Sequence, residues 1–369
     1  MVLPGGLDRS NENWVIPYLL AIVERLAQRH ELHVYAIHPT LVRESYRMAG
    51  ATIHAVGRPV PEPRAVRMIV AEHRRGPFDV MHAFWAHWPG TVAAIAGRLI
   101  RRPFLLHLAG GELLALRDIQ YGGALSWRGR AAVRFALRRA AHVSAASGPM
   151  RELAAVRGYA TTELPLGVDL ARWPVREPSP RPRGRPARLL HVGTLNRVKD
   201  QATLLQAAAL LQAAGVDFQL DIVGEDILGG EIQALAQRVG LTARVAFHGY
   251  LPHRALRPLM ERADILLVSS RHEAGPAVVL EAAVAGVPVV GTAVGHIRDW
   301  ALDAAVAVPV QDAEALARET AALLEDDGRR LGVARAAQRR AVSHDADWTA
   351  ATVGGIYHEM AGGAARGAR

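Results

Sequence analysis

Lys199 is the one lysine in a chain of 369 residues whose other 43 basic side chains are arginine. It stands in RLLHVGTLNRVKDQATLL (188–205), between an apolar run that ends at Gly193 and a helical pattern that starts at Gln201. A lysine at such a strand-to-helix turn adds a compact, flexible charge to the positive end of the helix, which suits a phosphate. A second group lies in SSRHEAGPAVVLEAAVAGVPVVGT (269–292), where Glu273 and Glu281 are eight residues apart. Gly275 and Pro276 open a helix there, and Gly286 and Pro288 close it. Pro276 fits the first helical turn, where its missing N–H costs nothing. The N–H groups of Ala277 and Val278 are then left for an anion. Ionised carboxylates only accept hydrogen bonds, so two of them beside an anion site point to sugar hydroxyls.

These residues need elements to hold them. Apolar runs occur at 32–37, 52–56, 79–83, 103–108 and 142–146, and again at 188–192, 218–223, 244–248, 264–268, 287–291 and 304–308. Amphipathic helical patterns separate them, such as DQATLLQAAALLQAAG with Asp200 as N-cap and Gly215 past the end. Strand–helix alternation with near-continuously apolar strands indicates parallel sheets covered on both faces. The expected fold is therefore α/β, with two doubly wound Rossmann-like domains facing across a cleft and ligands at the carboxyl ends of the strands. The expected boundaries are an N-terminal domain at 1–175, a Pro/Arg-rich linker at 176–188, a C-terminal domain at 189–345, and a final helix at 346–369 that crosses back. Only MVL precedes PGG, so the first strand reads as a stub whose start is expected to lie upstream.

Composition narrows the classes. Cysteine is absent, which excludes disulfides and thiolate metal sites. No apolar run reaches the roughly 20 residues of a membrane helix, and the first residues show no secretory pattern, so a cytoplasmic location is expected. The net charge is +9, with 22 arginines against 13 acids over residues 1–175. Aromatics make up only 5%, and no nucleic-acid-binding signature accompanies the charge. Arg130, Arg134 and Arg138 form one helical stripe. A weak peripheral contact of the basic N-terminal domain with the inner face of an anionic membrane is the remaining reading.

Taken with LPGG, DVMHAFWAHWPG, HVSAASGPMREL, LPLGVDLARW, VGTLNRVKD, LDIVGE and VAFHGYLP, the Glu-x7-Glu segment resembles the retaining glycosyltransferases of family 4, which have the GT-B fold. The resemblance implies transfer of a sugar from a nucleoside diphosphate donor to an acceptor, without a cofactor or metal ion. It implies donor-binding roles for Gly5, Gly6, Gly193, Thr194, Arg197, Lys199, Gly249, Tyr250, Glu273, Ala274, Gly275, Pro276, Ala277 and Glu281. Lys199 would hold the diphosphate, Glu281 the ribose and Glu273 the transferred sugar. The chain departs from the pattern twice. Thr194 stands where the family commonly has arginine, leaving Arg197 as the nearby substitute. Ala109 stands where a histidine is common, leaving Glu112 as the expected catalytic group beside Lys199 and Glu273, with His107 as the other substitute. His82, Trp85 and His107 are acceptor-side candidates. The acceptor is unspecified, and no metal site is expected. The alternatives are a GT-B-fold sugar-nucleotide epimerase and a catalytically weak sugar-nucleotide-binding protein.

Overall fold

The computed structural model describes residues 1–7, 16–37, 43–57, 61–182 and 184–366. It divides into unit 1, Met1–Gly167 with Ala346–Arg369, and unit 2, Val168–Asp345. Arg183 of the Pro/Arg-rich segment and residues 367–369 lie outside the described residues.

The strands of unit 1 are β1 (Val2–Leu3), β2 (His33–Ala36), β3 (Glu44–Met48), β4 (Ala51–Ala55), β5 (Met81–Phe84), β6 (Phe104–Leu108), β7 (His142–Ala145) and β8 (Thr162–Glu163). Its first five helices are α1 (Pro17–Leu26), α2 (Pro61–Arg75), α3 (Trp88–Ile100), α4 (Trp127–Arg139) and α5 (Gly148–Ala155). The sheet order is β3-β4-β2-β1-β5-β6-β7-β8. All pairings are parallel except β3 with β4, a hairpin whose turn residues Ala49 and Gly50 both have positive φ. Although β1 has two residues, it is central, pairing with β2 on one side and β5 on the other.

Unit 2 contains β9 (Ala187–Val192), β10 (Phe218–Val223), β11 (Val245–Phe247), β12 (Ile265–Val268), β13 (Val289–Thr292) and β14 (Val306–Val308). The helices are α6 (Gln201–Ala213), α7 (Glu231–Arg238), α8 (His253–Arg262), α9 (Ala277–Val284), α10 (Gly295–Asp299), α11 (Ala313–Glu325) and α12 (Asp327–Ser343). Its sheet, β11-β10-β9-β12-β13-β14, is wholly parallel. Two apolar clusters line it, one including Leu189, Leu204, Phe218 and Leu316, the other Leu190, Leu266, Val279 and Trp300. A strand buried on both faces must be apolar at consecutive positions, which is why RLLHV and DILLV carry no alternation.

The Pro/Arg-rich segment is part of unit 2 rather than a free linker. Arg185 forks onto Asp264 with two 2.8 Å bonds, Arg330 reaches Ser179 O, and β9 already begins at Ala187. The chain leaves unit 1 earlier, after Gly167. It returns through α13 (Ala346–Arg366), which places Ala350, Val353 and Ile356 in the core beside α1.

Candidate functional site

In unit 2, β9 lies between β10 and β12, so the chain winds away from it in opposite directions. The loops that follow β9 and β12 therefore diverge at a switch point, where open α/β sheets bind ligands. The first loop carries Lys199 and the second Glu273. Lys199 Nζ lies 2.5 Å from Glu273 Oε1, and Ser270 Oγ donates to the same oxygen at 2.6 Å.

Each loop is fixed from below. Asn196 Oδ1 accepts the N–H groups of Val198 and Lys199, while Asp200 caps α6 by accepting from Thr203. Gln201 Nε2 donates to Thr194 O and lies 3.1 Å from His191 Nε2. Ser269 Oγ donates to Lys199 O at 2.8 Å, tying the two loops together. The aliphatic stem of Lys199 lies where Gly193 has no side chain, 3.3 Å from the site a Cβ would take. Gly224, φ +156, closes against the same turn: a Cβ there would sit 2.0 Å from Gly193 O.

Burial opposes ionisation of Glu273, but the adjacent Lys199 ammonium and the hydrogen bonds from Lys199 and Ser270 together outweigh it and hold the carboxyl below its usual value. Behind Glu273, Ala274 and Pro276 are buried and Gly275 is partly exposed. Pro276 is the N-cap of α9, one residue before the position read from the sequence. Val279 N–H bonds to Pro276 O, so the N–H groups of Ala277 and Val278 stay outside the helical ladder. Glu281, one turn further, is buried, with Oε1 3.2 Å from His253 Nε2.

Gly249 has φ +65, accepts Gly224 N–H at 2.8 Å, and precedes an exposed Tyr250. Arg197, expected as a phosphate contact, is instead forked onto Glu231 at 2.8 and 3.2 Å. Thr194 contributes its carbonyl to Gln201, as above. Sequence reasoning missed Ser270, His253, Gln201 and Gly224. Ser270 stood unremarked inside the quoted Glu-x7-Glu segment, and His253 directly after VAFHGYLP.

In unit 1 the strands β5 and β6 and the loops after β1, β5 and β6 hold the remaining candidates. Gly5 and Gly6 have φ 151 and 85. The φ of +85 at Gly6 favours glycine, and a Cβ on Gly6 would lie 2.6 Å from the Ile16 side chain, so the local backbone and packing account for Gly6. Glu112, expected to reach a substrate, is buried and occupied by the backbone. Its Oε1 accepts the N–H groups of Ala86 and Ala109, and Oε2 accepts that of Gly110 at 2.8 Å. Burial raises its carboxyl above the usual range, with these backbone bonds opposing the rise. Trp85, φ 66, lies with its indole nitrogen 2.6 Å from where a Gly110 Cβ would be.

His107 is fully buried and hydrogen-bonded through Nδ1 to Ser144 Oγ at 2.9 Å, and burial pushes its ring down to about 3. It belongs to the core. So does His82, which stacks on Phe84 and bonds through Nδ1 to Tyr357 of α13 at 2.8 Å. An acceptor-side role for His82 does not fit that placement. A cavity of about 750 Å³ lined by Arg29, His33, Phe78, His82 and Tyr357 opens at the amino ends of β2 and β5, the wrong end for parallel-sheet chemistry. Among the described residues, no cluster of three or more His, Cys, Asp or Glu side chains could hold a metal ion. No helix among them is long and apolar enough to cross a membrane.

Residues 176–340 match the model of the family described as glycosyl transferases group 1, and residues 15–167 match that of the glycosyl transferase 4-like domain. Glycogen synthase of Mycobacterium tuberculosis is 31% identical over 61% of the chain and 55% of its own length. The 2-deoxystreptamine N-acetyl-D-glucosaminyltransferase of Streptomyces fradiae is 30% identical over 64% of the chain and 60% of its own length. The chain thus spans little more than half of these relatives. Among solved structures, sucrose-phosphate synthase from Thermosynechococcus elongatus superposes with a TM-score of 0.76 at 22% identity, covering 93% of this chain and 92% of that one. An Anabaena protein in complex with UDP-glucose gives a TM-score of 0.75 at 19% identity, covering 97% and 98%. At these identities the structural likeness establishes the fold, the two-unit GT-B arrangement of α/β sheets.

Proposed function

The chain belongs to the glycosyltransferases whose two parts match the glycosyl transferase 4-like domain and glycosyl transferases group 1, and from that premise we propose that it is a retaining glycosyltransferase that uses a nucleoside diphosphate sugar without a metal ion. The observation that carries the reading is the Lys199–Glu273 pair, set at the switch point immediately before the open N-terminus of α9. A diphosphate there would meet the Lys199 ammonium and the N–H groups of Ala277 and Val278, which together supply the positive charge a leaving diphosphate requires. Glu273 would accept from hydroxyls of the transferred sugar and Glu281 from the ribose. The Anabaena neighbour solved with UDP-glucose supports a nucleotide-sugar donor.

In the front-face course, the bond from C1 to the phosphate oxygen breaks as the acceptor oxygen bonds to the same face of C1. The acceptor proton passes to the departing phosphate oxygen, so no protein base is required. That course accommodates a Glu112 consumed by the backbone and a His107 buried in the core.

A thermal-shift series with UDP-, GDP-, ADP- and dTDP-sugars tests the reading, because a ligand that binds only the folded state raises the melting temperature. At least one donor should do so, and turnover of that donor should survive EDTA. A shift with none of them, or strict dependence on a protein-bound Mg²⁺ or Mn²⁺, would reject it.

We also propose weak contact of unit 1 with an anionic membrane surface. It is supported by α4, where Trp127 is 67% exposed and Arg134 and Arg138 face solvent. The protein should co-sediment with phosphatidylglycerol vesicles and not with phosphatidylcholine vesicles, and Arg134→Glu with Arg138→Glu should abolish the difference. Equal sedimentation with both lipids would refute this contact.

A further inference from the structure

We propose that Trp173 and His253 act as a positioning relay that orients Glu281. Trp173 sits in the short segment that opens unit 2, is 3% exposed, and packs in the cluster that contains Leu256, Met260 and Leu280. Its indole N–H lies 3.3 Å from His253 Nδ1, with the rings nearly perpendicular at 77°. An indole nitrogen can only donate, so His253 Nδ1 must accept. The ring proton is therefore on Nε2, the atom 3.2 Å from Glu281 Oε1. The indole proton and the ring proton thus both lie on the side of their rings that leads to the carboxylate.

The relay does two things. It holds Oε1 in one place, on a helix whose own turns cannot fix a glutamate rotamer, and it leaves Oε2 to accept a ligand hydroxyl. It also explains why a histidine begins α8 directly after Pro252: that position brings Nε2 to Glu281 while the indole behind it selects the tautomer. The inference rests on the reading of Glu281 as the carboxylate that meets a nucleotide hydroxyl.

Calorimetry with UDP, GDP and ADP on full-length variants, using those that bind the unaltered protein, tests both layers. A glutamine amide nitrogen can replace Nε2 as donor, whereas asparagine can replace only Nδ1 as acceptor. His253→Asn should therefore weaken binding about three- to tenfold, less than loss of a direct bond to the ligand would, because Glu281 keeps its own bond and loses only its positioning, and His253→Gln should restore most of it. Trp173→Phe keeps the ring and removes the N–H, and should give a smaller loss. Nitrogen-15 NMR of the histidines should show His253 protonated on Nε2. If Glu281→Ala weakens binding while His253→Asn does not, or if the NMR shows Nδ1–H, the relay is wrong. If Glu281→Ala binds as tightly as the unaltered protein, or if none of the three nucleotides binds, the reading of Glu281 itself fails.

Discussion

Lys199→Ala should lower kcat/KM at least tenfold for any donor the protein accepts. A hydrogen bond to a charged group contributes about 1.5–3 kcal/mol, and each 1.36 kcal/mol is a factor of ten. Lys199→Arg should recover only part of the loss, because a planar, forked guanidinium does not reproduce the compact ammonium that packs along Gly193 and meets Glu273. The same variant has a signature in acid. Glu273 has a depressed carboxyl value in the folded state, so its pairing stabilises the fold above the ordinary glutamate value of 4.5 and loses that contribution as pH falls through the lower folded value. Without Lys199, burial is unopposed by the ammonium, and this part of the acid-dependent stability should vanish. Chemical denaturation of both proteins between pH 3 and 7 reads it out. Unchanged turnover in Lys199→Ala would remove the phosphate role, whatever the pH profile shows.

The largest effect on stability should come from Glu112→Ala. Three backbone N–H groups, from Ala86, Ala109 and Gly110, converge on this one buried carboxylate. An unpaired buried donor costs about 1–3 kcal/mol, so the variant should lose roughly 3 kcal/mol or more. For a unit of this size that lowers the melting temperature by roughly 6–12 °C. Glu112→Gln should fall between the two, since its amide nitrogen must face one of the donors. Nucleotide affinity should stay close to normal, because Lys199, Glu273 and Glu281 all lie in the other unit. A Glu112→Ala protein that melts normally but fails to transfer sugar would return Glu112 to the catalytic group.

The eleven apolar runs coincide with strands, for the inner strands because double-sided burial leaves an unbroken hydrophobic signature; β11, an edge strand with half-buried and exposed positions, is apolar without it. The hairpin strand ESYRM escaped notice for the opposite reason. It is an edge strand with alternating half-buried and exposed positions, so it carries charge and no continuous run. Two-residue β8 is exposed throughout and leaves no trace in the pattern. Lys199 and Glu273 could be picked out by residue type and spacing, but their 2.5 Å meeting depends on β9 and β12 being neighbours, which strand order decides. The three backbone bonds to Glu112 were not legible, because a sequence displays side chains and hides backbone N–H groups. Trp173 and His253, 80 residues apart, gave no sign of facing each other.

Thr349 has a wider consequence. Its buried hydroxyl accepts Gly167 N–H at 3.0 Å and donates to Pro165 O at 2.8 Å, so the points where the chain leaves unit 1 and re-enters it are pinned together. Unit 2 is consequently a cassette, one uninterrupted stretch whose two ends meet the rest of the gene product at a single locus. Recombination that replaced residues 168–345 would exchange the proposed nucleotide-sugar half and sever no element of the other. A stop codon before residue 346 would do the reverse, sparing the cassette while stripping Ala350, Val353 and Ile356 from the core of unit 1. A protease that cuts at either crossing alone leaves the two units tethered through the other.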